Sequence, residues 1–210
     1  MKHFIYIILL LLGSLTQAQS NFEKGMQKAF NLWEANNWTE AENLFERIAN
    51  AEPDQWLPHY YIAQMNSLKS WEEKDAAVLK AQLDKAQEHL NTAKSISKDN
   101  PEILVLQAHV LTNWIVFDGM SYGMKYSAKI SELYAKAKQL APNNPRAVYG
   151  KADWEIGSAK YFGQDTSPFC KDLNHALELF ATFKPETPFH PTWGQQRVEQ
   201  LLAESCQEKH

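Results

Sequence analysis

From residue 22 onward, hydrophobic residues recur at intervals of three and four, and no stretch alternates residue by residue as a half-buried strand would. Asn37-Trp38-Thr39-Glu40-Ala41 opens a helix whose Ala41, Phe45 and Ile48 form one apolar stripe. The same triplet returns as Ala86, Leu90 and Ala93, as Ile130, Tyr134 and Ala137, and as Ala176, Phe180 and Phe183. Eight residues past the third member stand Trp56, Pro101, Pro145 and Pro191, and seven residues further come Ala63, Ala108, Ala152 and Val198. Phe22 and Ala29 repeat that last step at the start. The anchors at 22, 56, 101, 145 and 191 are separated by 34, 45, 44 and 46 residues. Self-similarity at this period predicts stacked helix pairs, A then B. The predicted fold class is all-α: a solenoid with repeats at about 22–55, 56–100, 101–144 and 145–190. A capping helix over 191–205 then covers the open end. Asn100-Pro101 and Asn144-Pro145 read as a cap followed by a first-turn proline, whose missing N–H has no intrahelical acceptor to lose.

The irregular length has one location. From the helix-A alanine to the first helix-B position there are 12 residues in the first unit and 23, 22 and 24 in the next three. The interval from B to the following A stays at 22. Every insertion therefore falls in the A–B connection, on one edge of the array, where inserts often mark a binding face. Trp71-Glu72-Glu73-Lys74-Asp75 leads into helix formers and predicts a helix B longer by about three turns. The third insert, 114–126, carries Trp114, Phe117, Met120, Tyr122, Met124 and Tyr126 around Gly119 and Gly123. The fourth carries Tyr161, Phe162 and Gly163, then Asp165-Thr166-Ser167-Pro168 as a turn and helix start. Two expectations compete: a satellite core, in which these rings pack only on each other, and a ligand or partner site made from Trp114, Phe117, Tyr122, Tyr126, Tyr161 and Phe162.

The first unit matches the tetratricopeptide-repeat pattern at Ala29, Leu32, Trp38, Ala41, Phe45 and Pro53, and departs from it at Asn36, usually Gly, and Ile48, usually Ala. On those residues the chain resembles the tetratricopeptide-repeat family. The tail, from Asn144-Pro145-Arg146 through Tyr161-Phe162-Gly163 to Pro191-Thr192-Trp193-Gly194, is similar to the C-terminal block of exported repeat proteins of Gram-negative envelopes, with Gln164 where those carry a second Gly. The resemblance implies an antiparallel helix-pair solenoid with a concave groove. A fold of this kind hosts many functions, so it implies an interaction module without naming the partner.

Charge and chemistry narrow the task by exclusion. Lys and Arg total 21 against 25 Asp and Glu, with Arg only at 47, 146 and 197, so there is no basic surface for nucleic acid. Lys2 and His3 precede a nine-residue apolar run, Phe4 to Leu12, and Thr16-Gln17-Ala18 supplies a small-residue cleavage site. That is a secretory signal peptide over 1–18, too short in its apolar run to span a bilayer. The mature product is expected to be periplasmic or secreted, with no membrane span. In that oxidising setting Cys170 and Cys206 can pair. His59, His89, His109, His175 and His190 form no metal-ligand motif, and His109 reads as a core histidine. No phosphate loop, nucleophile elbow or CxxC is present. The expected function is non-enzymatic, without metal or cofactor: binding of an unidentified protein or peptide through the groove and the insert edge. The alternative is a small-ligand carrier or transport accessory whose pocket is formed by the aromatic inserts of repeats 3 and 4.

Overall fold

The computed structural model describes residues 21–206; the expected signal segment lies outside them. All regular structure among these residues is helical. Helix α1 covers 21–34, followed by α2 (Trp38–Ala51), α3 (Trp56–Ser70), α4 (Ala76–Ile96) and α5 (Pro101–Phe117). Then come α6 (Gly119–Leu140), α7 (Pro145–Tyr161), a 3₁₀ turn (Ser167–Phe169), α8 (Cys170–Thr182) and α9 (Gln195–Ser205). The helices pack in pairs, α3 on α4, α5 on α6 and α7 on α8, and α3, α5 and α7 also touch in succession. The odd-numbered helices thus form one layer, with the first residues of each at one end.

Local chemistry sets the boundaries. Asn100 Oδ1 accepts from the Glu102 amide, and Asn144 Oδ1 from those of Arg146 and Ala147, each with proline at the first helical position. Asp75 caps α4 through the Ala77 and Val78 amides. Asn36 closes α1 with φ of 62°, the left-handed conformation that asparagine tolerates best after glycine. Small residues let the layers approach: a Cβ on Gly150 would come within 2.6 Å of the Tyr134 ring.

The extra residues of the second and third pairs are mostly helix. Helix α4 has 21 residues against 14 in α2, an extension of about two turns, where about three were expected. The third connection shrinks to Asp118 alone, which caps α6 through the Ser121 amide, so its aromatic residues stand on the ends of α5 and α6. The fourth connection is a loop and a 3₁₀ turn, stapled by a disulfide between Cys170 and Cys206 that closes a separation of 36 residues. On the chain-entropy account such a closure contributes about 3–4 kcal/mol.

The tail corrects the expected cap. Helix α8 stops at Thr182 and α9 begins at Gln195, so Pro191 does not start a helix and the capping helix is four residues shorter than 191–205. Pro185, Pro188 and Pro191 explain it: each lacks an N–H and biases the residue before it away from helix. The spacing from Ala176 to Val198 still equals that of the other units, but residues 183–194 cross it as a non-helical strap. Val198 and Leu201 of α9 bury against α7 and α8.

Candidate functional site

The odd-numbered layer was expected to present an open groove, and the strap lies across it. Phe189 stacks on Phe30 at 5.9 Å and meets Phe22 edge-on at 6.2 Å, both on α1. Its carbonyl accepts from Tyr61 Oη on α3 at 2.6 Å. Trp193 Nε1 donates to Tyr60 Oη at 2.9 Å, and its ring packs on His109 of α5 and Tyr149 of α7. Gly194 makes the turn into α9 at φ of 114°, where a Cβ would lie 2.7 Å from Tyr149. The chain itself covers the middle of the face and leaves a pocket of about 380 Å³ between the strap residues Phe183 and His190 and the starts of α5 and α7.

Beneath the strap lies a buried ion pair. Arg146 Nε and Nη2 donate to the two Glu102 oxygens at 2.7 Å each, and both residues are fully buried. Asn144 donates to the same carboxylate, His190 Nε2 sits 3.4 Å from it, and the guanidinium lies 4.4 Å over the Phe183 ring. Burial opposes ionisation of Glu102, but the hydrogen bonds from His190, Arg146 and Asn144 outweigh it and hold the carboxyl below its usual range. Glu102 and Arg146 are 44 residues apart and each is the second residue of its helix, so they are equivalent positions of neighbouring repeats with opposite charge. The repeat register contained that signal, although a residue-by-residue search for motifs passes over it. His109 is held neutral down to about pH 4, chiefly by burial.

The other end of the helices is different. Among the described residues the large apolar side chains left exposed are Leu68, Trp71, Val78, Val116, Met120, Met124, Leu140, Tyr161 and Phe162. All but Leu140 stand at the ends of α3, α5 and α7 or the starts of α4 and α6, which is the A–B edge. Met120 and Met124 are 94% and 99% exposed. Of the six residues singled out in the sequence, the structure gathers three: Trp114 packs on Tyr122 at 4.8 Å and Tyr122 stacks on Tyr126 at 5.8 Å. Those rings are half-buried and Phe117 packs inward, so they support the edge more than they present it. Lys125 Nζ lies 4.8 Å above the Tyr126 ring. Tyr161 and Phe162 pair with each other at 5.1 Å and are 77% and 70% exposed.

The same edge holds an open pocket of about 360 Å³ between the tips of the second and third pairs. Trp71, Leu79, Val116 and Phe117 form its apolar wall, and Ser70, Asn113 and the 72–74 turn its polar one. Its floor is rigid: buried Asn113 Nδ2 donates to the Ser67 carbonyl at 2.8 Å and to Ser70 Oγ at 2.8 Å. Trp71 and Val116 are members of this site that the expected set did not include. Trp71 reads from the sequence as part of an oversized A–B connection that lengthens a helix, outside the six named candidates. Among the described residues no three His, Cys, Asp or Glu side chains are grouped to hold a metal, and no helix is long and apolar enough to cross a membrane.

No family model matches the chain, and no curated protein does. A solved structure does: the HusA haemophore from Porphyromonas gingivalis superposes with a TM-score of 0.73 over 90% of this chain and 94% of that one, at 22% sequence identity. At that identity the likeness shows the fold, an all-helical array packed in pairs.

Proposed function

We propose that the chain is an exported, non-enzymatic carrier of a small, flat, largely apolar ligand of the haem class, held at the A–B edge. The observation that carries the reading is the concentration of exposed apolar side chains on that edge beside a pocket, in a fold shared over nearly its whole length with a haemophore. Isolated exposed apolar residues are ordinary, but a contiguous group is costly in water unless something covers it. A macrocycle seated against Trp71, Val116 and Phe117 would bury its faces on apolar walls. Met120 and Met124, on successive turns of α6, add polarisable thioethers suited to a soft metal centre or an aromatic ring. The disulfide supports export, since such bonds persist in oxidising compartments. A peptide bound on the odd-numbered face would have to displace residues 183–194, which is why the carrier reading takes precedence over a groove-binding partner.

Titration with hemin, followed by the Soret band and by tryptophan fluorescence, tests this. Saturable binding is expected, weakened at least tenfold by Trp71→Ala and by Met120→Ala with Met124→Ala, with melting unchanged in the double methionine variant. Protoporphyrin without iron separates ring packing from metal ligation. Absence of saturable binding, or binding indifferent to all these edge substitutions, overturns the proposal.

A further inference from the structure

Two histidines that the carrier reading does not use meet at the opposite end of the second helix pair. His59 lies in the first turn of α3 and His89 two turns before the end of α4. Their Nδ1 atoms are 2.9 Å apart, with ring centroids at 5.1 Å and planes tilted by 37°. Both are half-buried, so the rings are held by the helices yet open to an ion. At 2.9 Å only one proton fits between the two nitrogens, and one imidazole must present a bare lone pair to the other. A metal ion takes that proton's place when the half-buried rings turn so that both lone pairs meet on it.

The donors also order the metals. Imidazole nitrogens bind divalent first-row ions in a fixed order, with Cu²⁺ above Zn²⁺. We propose that His59 and His89 form a two-nitrogen chelate for a divalent transition-metal ion, with Cu²⁺ favoured over Zn²⁺. Water completes the coordination, consistent with the lack of a third grouped protein ligand among the described residues. The surrounding charge permits a cation. Lys85, the near positive group, is bound by Glu42 and Glu46, and Glu46 and Glu88 both face His89. His59 stands twelve residues before Trp71, about 18 Å along the helix axis, so the site is separate from the apolar edge.

The test is Cu²⁺ and Zn²⁺ titration of the mature chain by calorimetry, beside electron paramagnetic resonance of the Cu²⁺ form. One Cu²⁺ is expected, bound at least tenfold more tightly than Zn²⁺, with hyperfine coupling from two imidazole nitrogens. His59→Ala or His89→Ala should weaken Cu²⁺ at least tenfold, while His175→Ala, on the solvent side of α8, leaves it unchanged. The coupling is read on the unmutated chain, so a variant that misfolds does not remove the test. Coupling from fewer than two nitrogens, or Cu²⁺ affinity equal in the His59, His89 and His175 variants, overturns the inference. Hemin binding by the His59→Ala chain reports on the edge separately.

Discussion

Aromatic and aliphatic side chains line both the odd-numbered face and the A–B edge, but they end in opposite states. On the face, Phe22, Phe30, Trp56, Tyr60, Tyr61 and Tyr149 are covered by Phe189, His190 and Trp193 from the same chain. On the edge, Trp71, Val116, Met120, Met124, Tyr161 and Phe162 remain in water. The difference lies in what the sequence supplies opposite each surface. The proline-rich strap covers the first, and nothing among the described residues covers the second. Apolar surface of similar composition therefore stabilises the fold at one place and stays available for a ligand at the other.

The sharpest way to break this contrast is at the buried pair. Arg146→Met leaves Glu102 charged, buried and without its guanidinium partner, and should cost about 3–5 kcal/mol in chemical denaturation. Adding Glu102→Leu should recover most of that loss, because no uncompensated charge remains. Next in size is Gly194→Ala. It places a Cβ 2.7 Å from Tyr149 at a φ that L-residues avoid, and should cost about 2–3 kcal/mol while loosening the Trp193 anchor. Near-ultraviolet circular dichroism would register that anchor directly.

Acid tests the face in a different way. His109 has a folded pKa of about 4, below the ordinary 6.5, so protons favour the unfolded chain. Stability should fall as the pH drops from about 6.5 toward 4, and His109→Gln should flatten the profile in that window. Below it a second loss is expected. Glu42 is buried against ionisation, yet Lys69, Lys85 and Asn66 hold its pKa at about 2, so its contribution fades between about pH 4.5 and 2. The smallest effect belongs to the edge. Met120→Ser with Met124→Ser should change unfolding free energy by less than about 0.5 kcal/mol, since both side chains are in solvent already. A large loss there would mean that the edge is packing surface after all.

The helical class and the placing of the extra residues on one edge were legible because stripe and anchor positions repeat with fixed offsets. Ala63, Ala108 and Ala152 all lie buried at the positions the register assigned. The tail was not legible by the same means. The 22-residue spacing from Ala176 to Val198 matched the other units, and only Pro185, Pro188 and Pro191 signalled that a strap, not a helix turn, spans it. For the candidate site the sequence pointed to the A–B edge, and the exposed apolar residues there overlap the expected six at Tyr161 and Phe162. Aromatic type drew attention to Trp114, Tyr122 and Tyr126, which turn half inward. Exposure depends on what packs opposite a side chain, and that is a property of distant sequence.

The strap has a consequence for how the molecule comes apart. Arrays in which each unit touches only its neighbours fray from their ends and unfold in steps. Here Phe189, late in the chain, rests on Phe22 and Phe30 of the first helix, and its carbonyl meets Tyr61 across 128 residues. The ends are clasped, so the first helix cannot peel away while the last segment stays in place. Such long-range closure slows folding, because a large loop must close before those contacts form. In return, opening becomes one concerted event, and amide hydrogens of α1 should exchange at rates set by the whole molecule, not by local fraying.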